Sequence, residues 1–141
     1  MSNSAESKQL VETLCKSVFQ NHDLSCLDEI MWDDYVHHNE NDDPFPDGKK
    51  QFIDFFEKTF KNMPDFRSNV KRIIAEGDIG MMYSTTTATH SGEWLGYPAT
   101  GNKIDFNVVD IFRIRDGKIA DHWDVVDTLT LFTQIGKIKQ P

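Results

Sequence analysis

The sequence predicts an α+β fold, because helical patterns occupy its first part and strand patterns its second. Apolar residues recur at helical spacing up to about residue 60, and after Pro64 they fall into runs typical of strands. The Asp116-Gly117 dipeptide between the last two runs is typical of a hairpin turn. We therefore predict N-terminal helices followed by about four long antiparallel strands, at about 66–76, 79–90, 102–115 and 118–127.

The elements before the sheet can be assigned from periodicity and breakers. A helix over about 4–20 has one apolar face, formed by Leu10, Val11, Leu14, Cys15, Val18 and Phe19. A short helix through Leu27 and Ile30 follows, then a short extended segment from Asp33 to His38. Residues 39–48, which contain Pro44 and Pro46, are predicted to form a loop.

Two further helices complete the prediction. Asp47 is expected to cap a helix that carries four phenylalanines at helical spacing, Phe52, Phe55, Phe56 and Phe60. These rings should pack on the concave face of the sheet or at its rim. A last short helix is predicted over about 129–135, ending at Gly136.

Composition limits the classes of function. The 141 residues suit one domain over 1–141, and the charge of 15 − 23 = −8 argues against nucleic acid and anionic membranes as partners. The N-terminal segment does not resemble a signal peptide and no apolar run reaches membrane-spanning length, so we expect a cytoplasmic protein. Cys15 and Cys26 form no CxxC and no zinc spacing, and we expect no cofactor.

The candidate site lies on the last two strands. Asp110 shares a strand face with Phe106, Val108 and Phe112. Burying an unpaired charge on an apolar face costs roughly several kcal/mol of folding free energy. Such an acid is usually paired, neutral or directed into a pocket. On the next strand, His122 and Asp124 share one face, where they would supply groups for proton transfer.

Whether these groups meet depends on the hairpin register. A two-residue loop at Asp116-Gly117 places Asp110 opposite Trp123. A three-residue loop that begins at Arg115, with a bulge at Gly117, places Asp110 opposite His122 and diagonal to Asp124. We favour the three-residue loop, because it puts Gly117 in the left-handed conformation that glycine tolerates best and brings the three polar groups together.

Other polar and aromatic side chains are weaker candidates. His90 ends a strand, and Trp94 suits a pocket wall, as do Phe106 and Phe112 on the face of Asp110. His37 and His38 point to opposite faces of an extended segment, so only one can reach a pocket, and we expect His38 to bind substrate. Together with Asp34 they suggest a metal, but the spacing of a tight site is absent and we expect none.

The chain resembles the SnoaL-like polyketide cyclases, also called ester cyclases. The resemblance rests on THSGEWLGYPATG at 89–101, FRIRDGKIADHWDVVD at 112–127 and QIG at 134–136, with a weaker match at DDYVHHN (33–39) and PDG (46–48). It implies a strongly curved antiparallel sheet around a cone-shaped pocket closed by helices. It also implies that Asp124 is the general acid/base, whereas Asp110 replaces the histidine that accompanies it in characterised cyclases.

We therefore expect a cofactor-free acid/base enzyme acting on a small apolar or aromatic carbonyl ligand, with Asp124 assisted by His122 and Asp110. The alternatives are a non-catalytic binding protein, or a dehydratase, isomerase or epoxide hydrolase on the same fold. The outward face of one strand is mixed apolar and polar, which together with the resemblance predicts a homodimer. That face carries Asn107, Val109, Ile111 and Arg113.

Overall fold

A computed structural model describes residues 3–139. The helices, in chain order, are α1 (Ser4–Leu14, continued by a π-helical segment, Cys15–Gln20), α2 (Leu27–Ile30), α3 (Lys49–Asn62) and α4 (Thr128–Gln134). The strands are β1 (Met31–His37), β2 (Arg67–Glu76), β3 (Ile79–Thr89), β4 (Lys103–Arg115) and β5 (Lys118–Val126). The predicted α+β class and the four long strands are confirmed.

The sheet contains a fifth strand, β1, which lies where a short extended segment was predicted from Asp33 to His38 but was not assigned to the sheet. The strand order is β1-β5-β4-β3-β2, and β1 lies parallel to β5 at the edge of a curved, open sheet. The sheet is therefore mixed and not wholly antiparallel as expected. In the register of this pair His37 lies beside His122, so the added strand brings new side chains to the predicted site.

The β4–β5 hairpin differs from the prediction in loop length and register. Asp116 and Gly117 form a two-residue turn with φ of 47° and 82°, and Arg115 pairs with Lys118, so the favoured three-residue loop is wrong. A bulge at Ala120 then shifts the register by one residue. Asp110 consequently lies opposite Asp124, not opposite His122 or Trp123. Asp110, His122 and Asp124 still share the buried face, as predicted, because the bulge restores the alternation.

The helices cover the concave face with aromatic side chains. Phe52 and Phe56 of α3 are buried against Phe19, with ring centroids 6.2 and 5.3 Å from it. Phe55 and Phe60 are partly buried against the same core, as predicted. Within residues 3–139, no helix has the length and apolar character needed to span a membrane.

The start of α3 corrects one detail of the prediction. Gly48 is the N-cap, without a side-chain hydrogen bond, so Asp47 does not cap the helix. Its carboxylate instead accepts a hydrogen bond from the backbone N–H of His37 at 2.8 Å. This contact ties the end of β1 to the loop that precedes α3.

Candidate functional site

A cavity lies between the concave face of the sheet and α3. One part of its wall is aromatic, formed by Phe19, Phe45, Phe52, Phe56, Phe66, Trp94 and Phe106. Another part is ionisable, formed by His37, Asp110, His122 and Asp124. Wide apolar walls with a few convergent polar groups are typical of a site for a small organic molecule.

Asp110 and His122 belong to a chain of buried hydrogen bonds. His122 Nε2 lies 2.8 Å from Asp110 Oδ1, and its Nδ1 lies 2.8 Å from the hydroxyl of Tyr35. Burial raises the pKa of Tyr35 well above its usual value, so its hydroxyl keeps its proton and can donate it to Nδ1. The Nε2–H of His122 donates to Asp110. The two contacts hold the imidazole in one orientation.

Asp124 lies beside this chain and is almost fully buried, with 2% of its surface exposed. Burial raises its pKa to about 6, and the neighbouring carboxylates of Asp43 and Asp110 act in the same direction. His37 and His122 oppose the shift. A carboxyl group of this kind can both accept and return a proton near neutral pH.

His37 and Asp43 reach the same place, and the sequence reasoning did not select either of them. His37 Nε2 lies 3.3 Å from both Asp43 Oδ2 and Asp124 Oδ1, with all three side chains buried. Burial disfavours the imidazolium, but the two carboxylates outweigh it and raise the pKa of His37 to about 10. Burial likewise acts to raise the pKa of Asp43, but its bond to His37 outweighs this and lowers it. Strand alternation indicates that only one of His37 and His38 can face the cavity but does not decide which one, and Asp43 lies in a loop whose path no periodicity indicates.

Three of the predicted binding residues do not line the cavity. His38 points to the other face of the sheet, where it stacks on Trp123 and lies 2.8 Å from Asp121, because alternation directs His37 inward in its place. His90 is fully buried and contacts Thr100 Oγ1 at 2.9 Å, so it supports the loop that follows β3.

Phe112 is the third of these residues. It stacks on the His122 ring at a centroid distance of 4.4 Å and holds that ring from behind. Trp94 and Phe106 do line the cavity, as expected. The Trp94 indole N–H donates to Thr59 Oγ1 at 3.0 Å, which anchors the wall to α3.

Two sets of side chains could offer donor atoms to a metal ion. They are His37, Asp43 and Asp124, and Asp110, His122 and Asp124, with the donor atoms of each set within 4.8 Å of one another. In the second set, the 2.8 Å contact of His122 with Asp110 is already a hydrogen bond. The group considered from the sequence does not assemble, because Asp34 pairs with Arg115 at 2.8 Å.

Comparison with known proteins identifies similar sequences and folds. The sequence pattern described as SnoaL-like polyketide cyclase matches residues 9–135. Aklanonic acid methyl ester cyclase DnrD of Streptomyces peucetius is 42% identical over 48 residues, which are 34% of this chain and 33% of DnrD. The match thus spans only about a third of that curated relative.

Solved structures are similar along almost the whole chain. AclR of Streptomyces galilaeus, assigned as a hydroxylase, is 31% identical with a TM-score of 0.81, covering 99% of this chain and 86% of AclR. TsrD of Streptomyces laurentii is 27% identical with a TM-score of 0.83, covering 98% of this chain and 100% of TsrD.

Proposed function

We propose that this chain, which belongs to the SnoaL-like polyketide cyclase family, is an acid/base enzyme acting on a small carbonyl compound, for example as an intramolecular aldol cyclase. The observation that carries the proposal is Asp124, a buried carboxyl group on the cavity wall with its pKa raised to about 6. Such a pKa lets one group serve as base and then as acid.

The proposed reaction needs no group beyond the side chains of this cavity. Asp124 as carboxylate removes a proton from the carbon next to a carbonyl, and the resulting enolate attacks a second carbonyl carbon of the same molecule. The new carbon–carbon bond leaves an alkoxide, which takes the proton back from the Asp124 carboxyl group. His122 and Asp110 orient the site through the hydrogen-bond chain that ends at Tyr35. Acid/base catalysis supplies about two to four powers of ten, and positioning by the aromatic wall supplies further acceleration.

The aromatic wall supports an apolar or aromatic substrate. Trp94 and Phe106 offer flat surfaces on which a conjugated ring can pack. The matched relative DnrD is named for a methyl ester substrate, so an ester or β-keto ester attached to a ring system is a reasonable first class to screen.

The test compares wild-type protein with Asp124→Asn on β-keto esters and other cyclisable carbonyl compounds. The substitution keeps the shape but removes the proton-accepting group, so turnover should fall by about two powers of ten or more with little change in substrate affinity. Asp121→Asn is the matched control, because Asp121 lies on the same strand but pairs with Arg113 and His38 on the other face. Full activity in Asp124→Asn would show that another group does the chemistry.

A non-catalytic binding protein is the second candidate, and the extent of the aromatic wall favours it. In that case the same panel, extended to epoxides and to substrates of dehydratases and isomerases, should give no turnover. Tight binding of an apolar ligand, with affinity altered only modestly by Asp124→Asn, would then replace the catalytic proposal.

We also propose a homodimer formed through the outer face of the sheet. Tyr83 and Val125 are exposed there, at 39% and 53% of their surface, beside the half-buried Val109 and Ile111. Covering such side chains stabilises an association. Light scattering at micromolar concentration should give twice the mass of the chain, and a monomer under those conditions would contradict the proposal.

A further inference from the structure

His37 lies between two buried carboxyl groups that belong to different parts of the chain. Asp124 comes from β5, the strand beside the edge strand β1, whereas Asp43 comes from the loop between β1 and α3. One oxygen of each carboxyl group, Asp43 Oδ2 and Asp124 Oδ1, lies 3.3 Å from the same nitrogen, His37 Nε2. Such a convergence needs a positive charge or a proton, because two carboxylates and an imidazole lone pair repel one another.

The other nitrogen of His37 determines where that proton can be. Nδ1 lies 3.2 Å from the carbonyl oxygen of Pro46, which can only accept a hydrogen bond. Nδ1 therefore carries a hydrogen, and the only variable proton of this group lies among Nε2, Asp43 and Asp124. Oδ2 of Asp43 is buried and has no well-formed hydrogen bond within residues 3–139, so it is the natural second partner for that proton.

We propose that Asp43 and His37 act together as positioning residues for Asp124. His37 holds a proton at Nε2 between the two carboxyl groups, and the charge of Asp43 controls how firmly Asp124 holds its own proton. The loop that carries Asp43 would in this way tune an acid that lies on the sheet. The catalytic consequence rests on the proposed function, whereas the shared proton does not.

The loop is fastened so that this contact is maintained. Asn41 Nδ2 donates to the backbone carbonyl oxygen of Asp124 at 2.8 Å, and Asn39 Nδ2 donates to that of Asp43 at 3.0 Å. The free oxygen of Asp43 is aimed at His37, because the other one, Oδ1, accepts the backbone N–H of Phe45 at 3.0 Å. The segment is therefore held on the strands by bonds that do not use the shared proton.

The remaining ionisable groups that face His37 and Asp124 are already paired. Asp110 faces His122 Nε2 at 2.8 Å, and Tyr35 faces His122 Nδ1 at 2.8 Å. The rings of His37 and His122 are 4.5 Å apart, so two imidazolium ions there would repel each other. Asp47 contacts only the backbone N–H of His37.

Nuclear magnetic resonance titration of metal-free protein, with labelled histidine nitrogens and labelled aspartate carboxyl carbons, tests this proposal without a substrate. In wild type, His37 Nδ1 should stay protonated at every pH while Nε2 loses its proton only well above pH 7. In Asp43→Asn, the midpoints of both His37 and Asp124 should fall by about one pH unit or more, because one negative neighbour is lost. The amide that this substitution introduces keeps the oxygen that accepts the Phe45 N–H.

A second variant gives the opposite sign. His37→Gln removes the positive charge and leaves the two carboxyl groups facing each other, so the titration midpoint of Asp124 should rise. General loosening of the fold cannot lower the Asp124 midpoint in one variant and raise it in the other. Asp121→Asn, which removes a carboxylate from a histidine on the other face, should leave the titrations of His37 and Asp124 unchanged.

Three results would overturn the proposal. They are an Asp124 titration that moves the same way in both variants or in neither, a neutral His37 with its hydrogen on Nε2, and stoichiometric Zn²⁺ binding that removes the shared proton from His37. Each of these differs from failure of the proposed function, which would appear as absent turnover with the titrations as expected. Where turnover exists, Asp43→Asn should shift the pH profile of kcat in step with the Asp124 midpoint.

Discussion

Removal of a single hydroxyl group tests the buried chain that orients His122. Tyr35→Phe deletes the oxygen that lies 2.8 Å from His122 Nδ1 and leaves the rest of the ring in place. Both residues are buried, with 2% and 5% of their surface exposed, so water does not readily replace the lost donor.

The expected loss of stability follows from this burial. A typical intramolecular hydrogen bond contributes a net 0.5–1.5 kcal/mol or so, and leaving a buried polar atom without a partner costs about 1–3 kcal/mol. The Phe ring keeps the packing of the Tyr ring, so only the small volume of the hydroxyl group is vacated. We therefore expect the free energy of unfolding to fall by about 1–3 kcal/mol, a decrease of roughly 1 M in the urea midpoint.

The matched control is the same chemical change at an exposed tyrosine. Tyr83 has 39% of its surface exposed, and its hydroxyl has only a 3.4 Å contact with Lys71. Tyr83→Phe should change stability by less than about 0.5 kcal/mol. Urea unfolding followed by circular dichroism measures both variants at one pH. Equal urea midpoints for Tyr35→Phe and Tyr83→Phe would refute the claim that Tyr35 and His122 form a buried hydrogen bond that stabilises the fold.

Three further predictions address the cavity, the charges and the backbone. An aromatic β-keto ester that binds the cavity should quench the tryptophan fluorescence of wild type and of Trp123→Phe, because Trp94 lines the cavity and Trp123 does not. The quench should be lost in Trp94→Phe, and a quench that persists there would place the ligand elsewhere. Because the pKa of His37 rises from 6.5 to about 10 on folding, the stability that its protonation contributes is complete below about pH 6.5 and is lost as the pH rises toward 10. In His37→Gln the free energy of unfolding should therefore depend less on pH between about 6.5 and 10 than in wild type. Curves of unfolding free energy against pH that run parallel in the two proteins would contradict this. Gly92→Ala should lower the free energy of unfolding in urea by about 1–3 kcal/mol, because its Cβ would lie 2.7 Å from Asn62 Cβ and 2.9 Å from Asn62 O. Gly77→Asn is the control: at φ +58° with no atom within 4 Å, it should cost less than about 0.5 kcal/mol. Equal losses in the two variants would argue against close packing of Gly92 on Asn62.

The grouping of Asp110, His122 and Asp124 was predictable, although the pairing between them was not. Alternation along a strand is a local property, so it placed these acids and the histidine on one face of the sheet. The register depended on a bulge at Ala120, which has no distinctive residue type, and on a two-residue turn in which Asp116 itself has positive φ. The shorter turn and the bulge each shift the register by one residue relative to the predicted hairpin. Together they keep Asp110, His122 and Asp124 on one face but place Asp110 opposite Asp124 instead of His122.

The amino-acid pattern by itself determined the α+β order of elements, the aromatic face of α3 and the family to which the chain belongs. These properties depend on period and on short motifs, which are written along the chain. Only the tertiary structure decided that β1 pairs with β5 in parallel, that His37 and not His38 faces the cavity, and that Asp43 reaches Asp124. Each of these rests on contacts between residues distant in sequence, and the burial that raises the pKa of Asp124 exists only when those residues pack together.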